Sequence, residues 1–181
     1  MNDGLIPRRY ALALFKYAKE KNITEPVYDE MKQVIDAFQK YPELQKVMAN
    51  PFVSREDKAK LLTGAAGDKI EDAYKSFVKL ILDANREQYA LQMALAYRDI
   101  YRKDNRIAQV EVTSASALTD EQVEKIKNIV RDAYKGMTLE FSFKVDPEII
   151  GGFIITVDSN RLDASVSNEL QQIRKKLLRS N

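Results

Sequence analysis

Residues 139–162, LEFSFKVDPEIIGGFIITVDSNRL, restrict the fold more than any other stretch of the chain. Leu139, Phe141, Phe143 and Val145 alternate with Glu140, Ser142 and Lys144, the period of a strand with one buried face. Asp146 and Pro147 interrupt it, because proline brings no amide to a ladder. Gly151 and Gly152 admit backbone angles closed to other residues, or a close approach by another segment. A second apolar run, Phe153 to Val157, follows at once, and Asp158-Ser159-Asn160 turns the chain again. The expectation is a β-hairpin with a fixed kink, Asp146, Pro147, Gly151 and Gly152 forming its structural turn. No lysine follows the glycines and no GxGxxG spacing is present, so this is no phosphate loop.

The preceding hundred residues, from Leu5 to about Asn105, carry a helical period. Thr24 is the expected N-cap of a second helix built on Val27, Met31, Val34, Ile35 and Phe38. Pro42 opens a short third helix, and Asn50-Pro51 ends it. Ser54 with Asp57 caps a fourth, which Gly64 and Gly67 stop. The first and fifth helices stand apart. In the first, Tyr10, Ala11, Ala13, Leu14, Phe15, Tyr17 and Ala18 form an apolar sector of about 200°, roughly twice what one-sided burial needs. Between Ile70 and Ala84 the fifth repeats that excess, with Ala73, Tyr74, Phe77, Val78, Leu80, Ile81 and Leu82. Such sectors suit a helix packed among several neighbours. They equally suit a wall of a groove open to a partner helix.

At Ile107 the period changes to two. A strand through Ala108, Val110 and Val112 leads to a helix that Thr119 and Gln122 open as a capping box and Gly136 closes. After the kinked stretch, Asp163-Ala164-Ser165 introduces a last helix with Val166, Leu170, Ile173 and Leu177 turned inward. The fold class expected is α with a smaller α+β part. A six-helix bundle over residues 1–105 is followed by a β-α-β-β-α domain over 106–181.

Composition narrows the chemistry. The 181 residues include neither histidine nor cysteine, which removes the side chain that titrates near neutrality, thiol nucleophiles and thiolate metal sites. A net charge of +2, from 29 basic and 27 acidic residues, is too small to argue for nucleic acid. No apolar run approaches the ~20 residues of a membrane span, and MNDGLIPRRY has no signal-peptide core. No catalytic group, cofactor or metal is expected. Asp146 and Asp163 offer a carboxylate pair for a hydrolase, or simply turn hydrogen bonds. The basic group Arg174, Lys175, Lys176 and Arg179 suits a phosphate or lipid contact, or a solvated last turn complementing the helix dipole. A nucleic-acid or ribosome-associated adaptor is the rival reading from another class.

Several blocks, taken in order, resemble the family of delta subunits of rotary ATP synthases and their mitochondrial counterpart, the oligomycin-sensitivity-conferring protein. They are Arg9-Tyr10-Ala11 with Ala13, Phe15 and Ala18; Asn50-Pro51-Phe52-Val53 with Lys58, Leu61 and Leu62; Asn85-Arg86; and Val110 to Leu118. The most specific is Val145 to Gly152 continued by Asp163-Ala164-Ser165-Val166, although the family usually has glycine at the position of Ala164. The resemblance spans the chain and implies a non-catalytic stator subunit. Its bundle would hold the N-terminal helix of an alpha subunit between the first and fifth helices. Tyr10, Ala13, Leu14 and Tyr17 would form one wall, and Phe77, Leu80, Ile81 and Ala84 the other. The α+β domain would bind b-type peripheral stalk subunits, on the cytoplasmic face of the inner membrane. No direct nucleic-acid contact and no transmembrane segment would be involved.

Overall fold

The computed structural model describes residues 4–179, with side chains to residue 176. Backbone proximity divides the chain into Met1–Asp104 and Asn105–Asn181.

The first unit contains α1 (Leu5–Glu20), α2 (Thr24–Lys40), α3 (Glu43–Ala49), α4 (Arg55–Ala65), α5 (Asp72–Asp83) and α6 (Ala90–Asp104), with a 3-10 turn at Glu87–Tyr89 before α6. One core joins them: Leu14, Phe15 and Ala18 of α1 meet Met31 and Ile35 of α2, Phe77 and Ile81 of α5, and Met93 and Tyr97 of α6. Several of its polar groups are satisfied across helices. The Tyr97 hydroxyl donates to the Thr24 carbonyl at 3.1 Å, and the Tyr74 hydroxyl to that of Leu62 at 2.9 Å. Lys58, fully buried, pairs with Glu87 at 2.7 Å and ties α4 to the turn before α6. Ser54 caps α4 as expected, its Oγ accepting from the Asp57 amide at 3.1 Å. Thr24 does not cap: it is the first residue of α2, and Ile23 holds the cap position without a side-chain bond. Gly64 lies inside α4, and the chain turns at Gly67, whose φ is +102°.

The second unit is β1 (Ile107–Ser114), α7 (Asp120–Ala133), β2 (Thr138–Val145), a 3-10 turn (Pro147–Ile149), β3 (Gly152–Val157), β4 (Asn160–Ser165) and α8 (Val166–Arg179). The Thr119–Gln122 capping box forms in both directions. The hairpin expected between residues 139 and 157 does not form. β2 crosses over through α7 to pair with β1 in parallel, Val110 opposite Phe141, and β3 pairs antiparallel with the other side of β1. The hairpin that does form joins β3 to a fourth strand, in which Leu162 faces Ile155, giving the sheet order β2-β1-β3-β4. That strand covers the residues expected to lead into the last helix. The unit is therefore β-α-β-β-β-α.

The kink also differs in detail. Left-handed backbone occurs at Ile150 (φ +68°) and Gly152 (φ +75°), not at Gly151. At Gly151 a Cβ would meet Val166 Cγ2 at 3.1 Å, a tight contact, and its carbonyl accepts the first amide of α8 at 3.0 Å. One face of the sheet packs on α7 through Ala108, Val110, Val112, Ile155 and Val157 against Ile126 and Val130. α8 departs from expectation. Val166, Leu170 and Ile173, read as inward, are 38%, 52% and 54% exposed. Leu177 lies outside the residues whose side chains are described.

Candidate functional site: a trough between α1 and α5

Two stripes of equal spacing face one another in the first unit. Tyr10, Ala13, Leu14 and Tyr17 follow an i, i+3, i+4, i+7 pattern on α1, and Ala73, Ser76, Phe77 and Leu80 repeat it on α5. Together these eight residues line a hollow of about 200 Å³. A second hollow, of about 690 Å³, shares Tyr10, Ala13 and Leu80 and adds Leu5, Ile6, Arg9 and Arg86. It lies at the N-terminal end of α1 and the C-terminal end of α5, so the two form one shallow trough along antiparallel helices.

The excess width of the α1 sector is divided between core and trough. Ala11, Leu14, Phe15 and Ala18 are buried, whereas Tyr10 is half-buried, Ala13 is exposed and Tyr17 is 47% exposed. On α5 the division is less even. Ala73, Tyr74, Phe77, Val78, Ile81 and Leu82 are buried, and Leu80, 53% exposed, stands alone as the large apolar side chain facing outward. Of the eight residues expected to form the walls, six line the trough. Ile81, 1% exposed, belongs to the core, and Ala84 is half-buried outside the lining. Sequence reasoning missed Ser76, whose polarity hid it, and Ala73, assigned to the sector without a role in the wall. It also missed Leu5, Ile6, Arg9 and Arg86, which lie beyond the wheel's apolar center.

The seating of α5 rests on a buried carboxylate. Glu30 of α2 is 3% exposed, and its Oε1 accepts the amide of Glu71, the N-cap residue of α5, at 2.5 Å. Its Oε2 is buried without a protein hydrogen-bond partner. Burial pushes the carboxyl up to about 7, against the opposing pull of the Glu71 amide.

The carboxylates considered for hydrolysis are occupied locally. Asp146 Oδ1 accepts the Glu148 amide at 2.9 Å. Asp163 accepts from the Ser165 hydroxyl at 2.6 Å, from the Ser165 amide and from Arg161, and the Ser165 hydroxyl foremost holds its carboxyl below the usual range. In the second unit an apolar hollow of about 210 Å³ lies between α7 and the β3–β4 pair, rimmed by the exposed Ile129 and Leu162. No helix among the described residues is long and apolar enough to cross a membrane.

Against known protein families, residues 6–177 match the model described as "ATP synthase delta (OSCP) subunit". The chain belongs to the ATP synthase delta (OSCP) family. The ATP synthase subunit delta of Parabacteroides distasonis is 40% identical over 181 residues, covering 98% of each chain. That of Phocaeicola vulgatus is 37% identical over 182 residues, covering 100% of this chain and 98% of its own. A chain in the cryo-EM structure of the Toxoplasma gondii mitochondrial ATP synthase hexamer shares the fold, with a TM-score of 0.75 at 22% identity over 95% of this chain and 97% of that one. Delta (OSCP) subunits are stator components of ATP synthase and not its catalytic subunits, and the nucleic-acid reading gains no support.

Proposed function

We propose that the trough between α1 and α5 receives the N-terminal helix of an ATP synthase alpha subunit, and that the second unit binds b-type peripheral stalk subunits. In this reading residues 1–105 act as a six-helix bundle on the catalytic head. Residues 106–181 link it to the stalk on the cytoplasmic face of the inner membrane. The observation that carries the proposal is the pair of matched stripes around an open apolar hollow, since a helix docks through the same i, i+3, i+4, i+7 geometry that the walls present. Leu5 to Tyr17 extends about 18 Å at 1.5 Å per residue, room for a little over three turns of a partner helix.

A stator element bears reaction torque and needs firm attachment rather than turnover. Nanomolar binding corresponds to about 12 kcal/mol. At about 25 cal/mol per Å² this asks for some 500 Å² of apolar burial before the cost of association is met. Exposed Leu80 and Tyr17 and half-buried Tyr10 supply the anchors on this side. The stalk contact draws support from the apolar surface the second unit leaves open at Ile129, Leu162, Leu170 and Ile173.

Leu80→Asp tests the trough without entering the core, unlike changes at Leu14 or Ile81. By isothermal titration calorimetry it should weaken binding of an alpha-subunit N-terminal peptide at least about 100-fold, the scale of a central anchor. Ile129→Asp, in the second unit, should leave that affinity unchanged while weakening capture of b-type subunits. Undiminished peptide binding by the Leu80 variant would remove the trough assignment.

A further inference from the structure

The arginine end of the trough carries information that its apolar lining does not. Arg9 and Arg86 line the larger hollow, and no Asp or Glu lines either hollow. Neither guanidinium has a hydrogen bond or ion pair among the described residues. The acids nearest to Arg86 in sequence are engaged elsewhere: Asp83 faces Arg55 at 3.8 Å and Glu87 holds Lys58 at 2.7 Å. α1 has no acid in its first turn, although a helix N-terminus favours anions and disfavours cations there. Arg9 has no acid three or four residues away on its own helix, where Leu5, Ile6, Leu12 and Ala13 stand. Two cations unpaired among the described residues, at one end of a largely apolar trough, form a charge pattern that an anionic group on the occupant completes.

We propose that Arg9 and Arg86 form a charge clamp that fixes the direction and register of the helix bound in the trough, by pairing with a carboxylate on one of its end turns. The proposal rests on the reading of the trough as a helix-binding site. The partner it selects is an amphipathic helix whose apolar stripe ends at an Asp or Glu. A helix of the same hydrophobicity with a lysine at that point is rejected, because it sets like charges together with no counter-ion among the described residues. Apolar contacts supply most of the affinity, and the clamp supplies orientation.

The experiment titrates the full chain, by calorimetry, with a synthetic peptide of about the first 20 residues of the alpha subunit, a length that spans about 30 Å as a helix. Arg9→Glu and Arg86→Glu should each weaken binding about tenfold, through one lost attraction and one added repulsion. Peptides with each acidic residue replaced by lysine in turn should include one that binds wild type poorly and recovers on the Arg86→Glu chain. Wild-type affinity should fall severalfold between about 0.05 and about 0.5 M salt, as screening shortens from over 10 Å to a few ångströms. If a reversed variant does not fold, Arg9→Gln and Arg86→Gln should still cost about threefold. Affinities within twofold of wild type for all arginine variants, with binding lost in Leu80→Asp, would overturn the clamp and leave the trough standing. Failure of the wild-type chain to bind the peptide at all would remove both.

Discussion

Glu30 gives the first unit a pH dependence whose size and sign follow from its surroundings. Its carboxyl sits at about 7 in the folded chain against an ordinary 4.5, so the folded state holds a proton that the unfolded state has released. That proton's contribution is fully present below about 4.5 and is lost as pH rises through about 7. The rise from 4.5 to about 7 corresponds to about 3 kcal/mol between the two extremes of pH. Glu71 and Lys75 bear on it with opposite sign, and the hydroxyls of Tyr74 and Tyr97, themselves pushed to higher pKa, stay neutral across this range. Glu30→Gln keeps an acceptor for the Glu71 amide and cannot titrate. The measurement is urea unfolding of both full-length proteins from pH 5 to pH 8, followed by tyrosine fluorescence. Eight of the nine tyrosines lie before residue 105, so the signal reports the first unit. The variant should gain about 2.5 kcal/mol on wild type between the two pH limits, since at pH 5 the unfolded carboxyl is already mostly ionised. Parallel stability curves would show that Glu30 is ionised throughout and that the burial argument is wrong.

Three further outcomes test the packing. Lys58→Met leaves Glu87 partly buried beside an apolar chain, its Oε2 already lacking a partner, and should cost about 3–5 kcal/mol in urea unfolding. The double variant Lys58→Met, Glu87→Leu should recover most of that loss; an equally unstable double would show that the charges themselves are needed. Gly64→Ala, in the α4 interior with open space around its Cβ position, should raise stability by about 0.5–1 kcal/mol. Gly152→Ala combines a left-handed φ with a Cβ placed 2.2 Å from the Ala164 carbonyl oxygen. It should destabilise the β3–β4 hairpin by more than about 2 kcal/mol, seen as faster amide exchange at Ile154 and Asp163.

The helices of the first unit were legible because each carries its own period and most of its own punctuation. Ser54, Pro42 and Asn85 mark boundaries within a residue or two of where they fall, Asn85 adopting a left-handed φ of +51° after α5. The sheet was less legible for a reason of range. Alternation along 139–145 shows a strand with two faces but says nothing of which neighbour supplies its ladder. A short connection through Pro147 and two glycines suggested a hairpin. Yet Ile150 and Gly152 turn the chain so that β3 meets β1, and α7 provides the crossover that a parallel pair requires. The last strand was missed because an edge needs little apolar content. Asn160, Arg161 and Asp163 make it polar, a composition that also protects an edge from pairing with another chain.

The trough marks the limit of the helical wheel. Helices α1 and α5 have nearly the same apolar width, but α1 leaves four of its residues at the lining while α5 adds Ser76 and leaves Leu80 as its one large exposed apolar group. Width counts the surface a helix offers; its neighbours decide how much of that surface stays open. α8 makes the complementary point. Its Val166, Leu170 and Ile173 keep a regular apolar spacing that the described residues leave exposed, so a periodic stripe locates a contact face without saying who owns the partner. The two unpaired arginines bear on the same question from the other side. Apolar area can be satisfied by many helices, and at the end of the trough it is Arg9 and Arg86, without a counter-charge among the described residues, that distinguish one occupant from another.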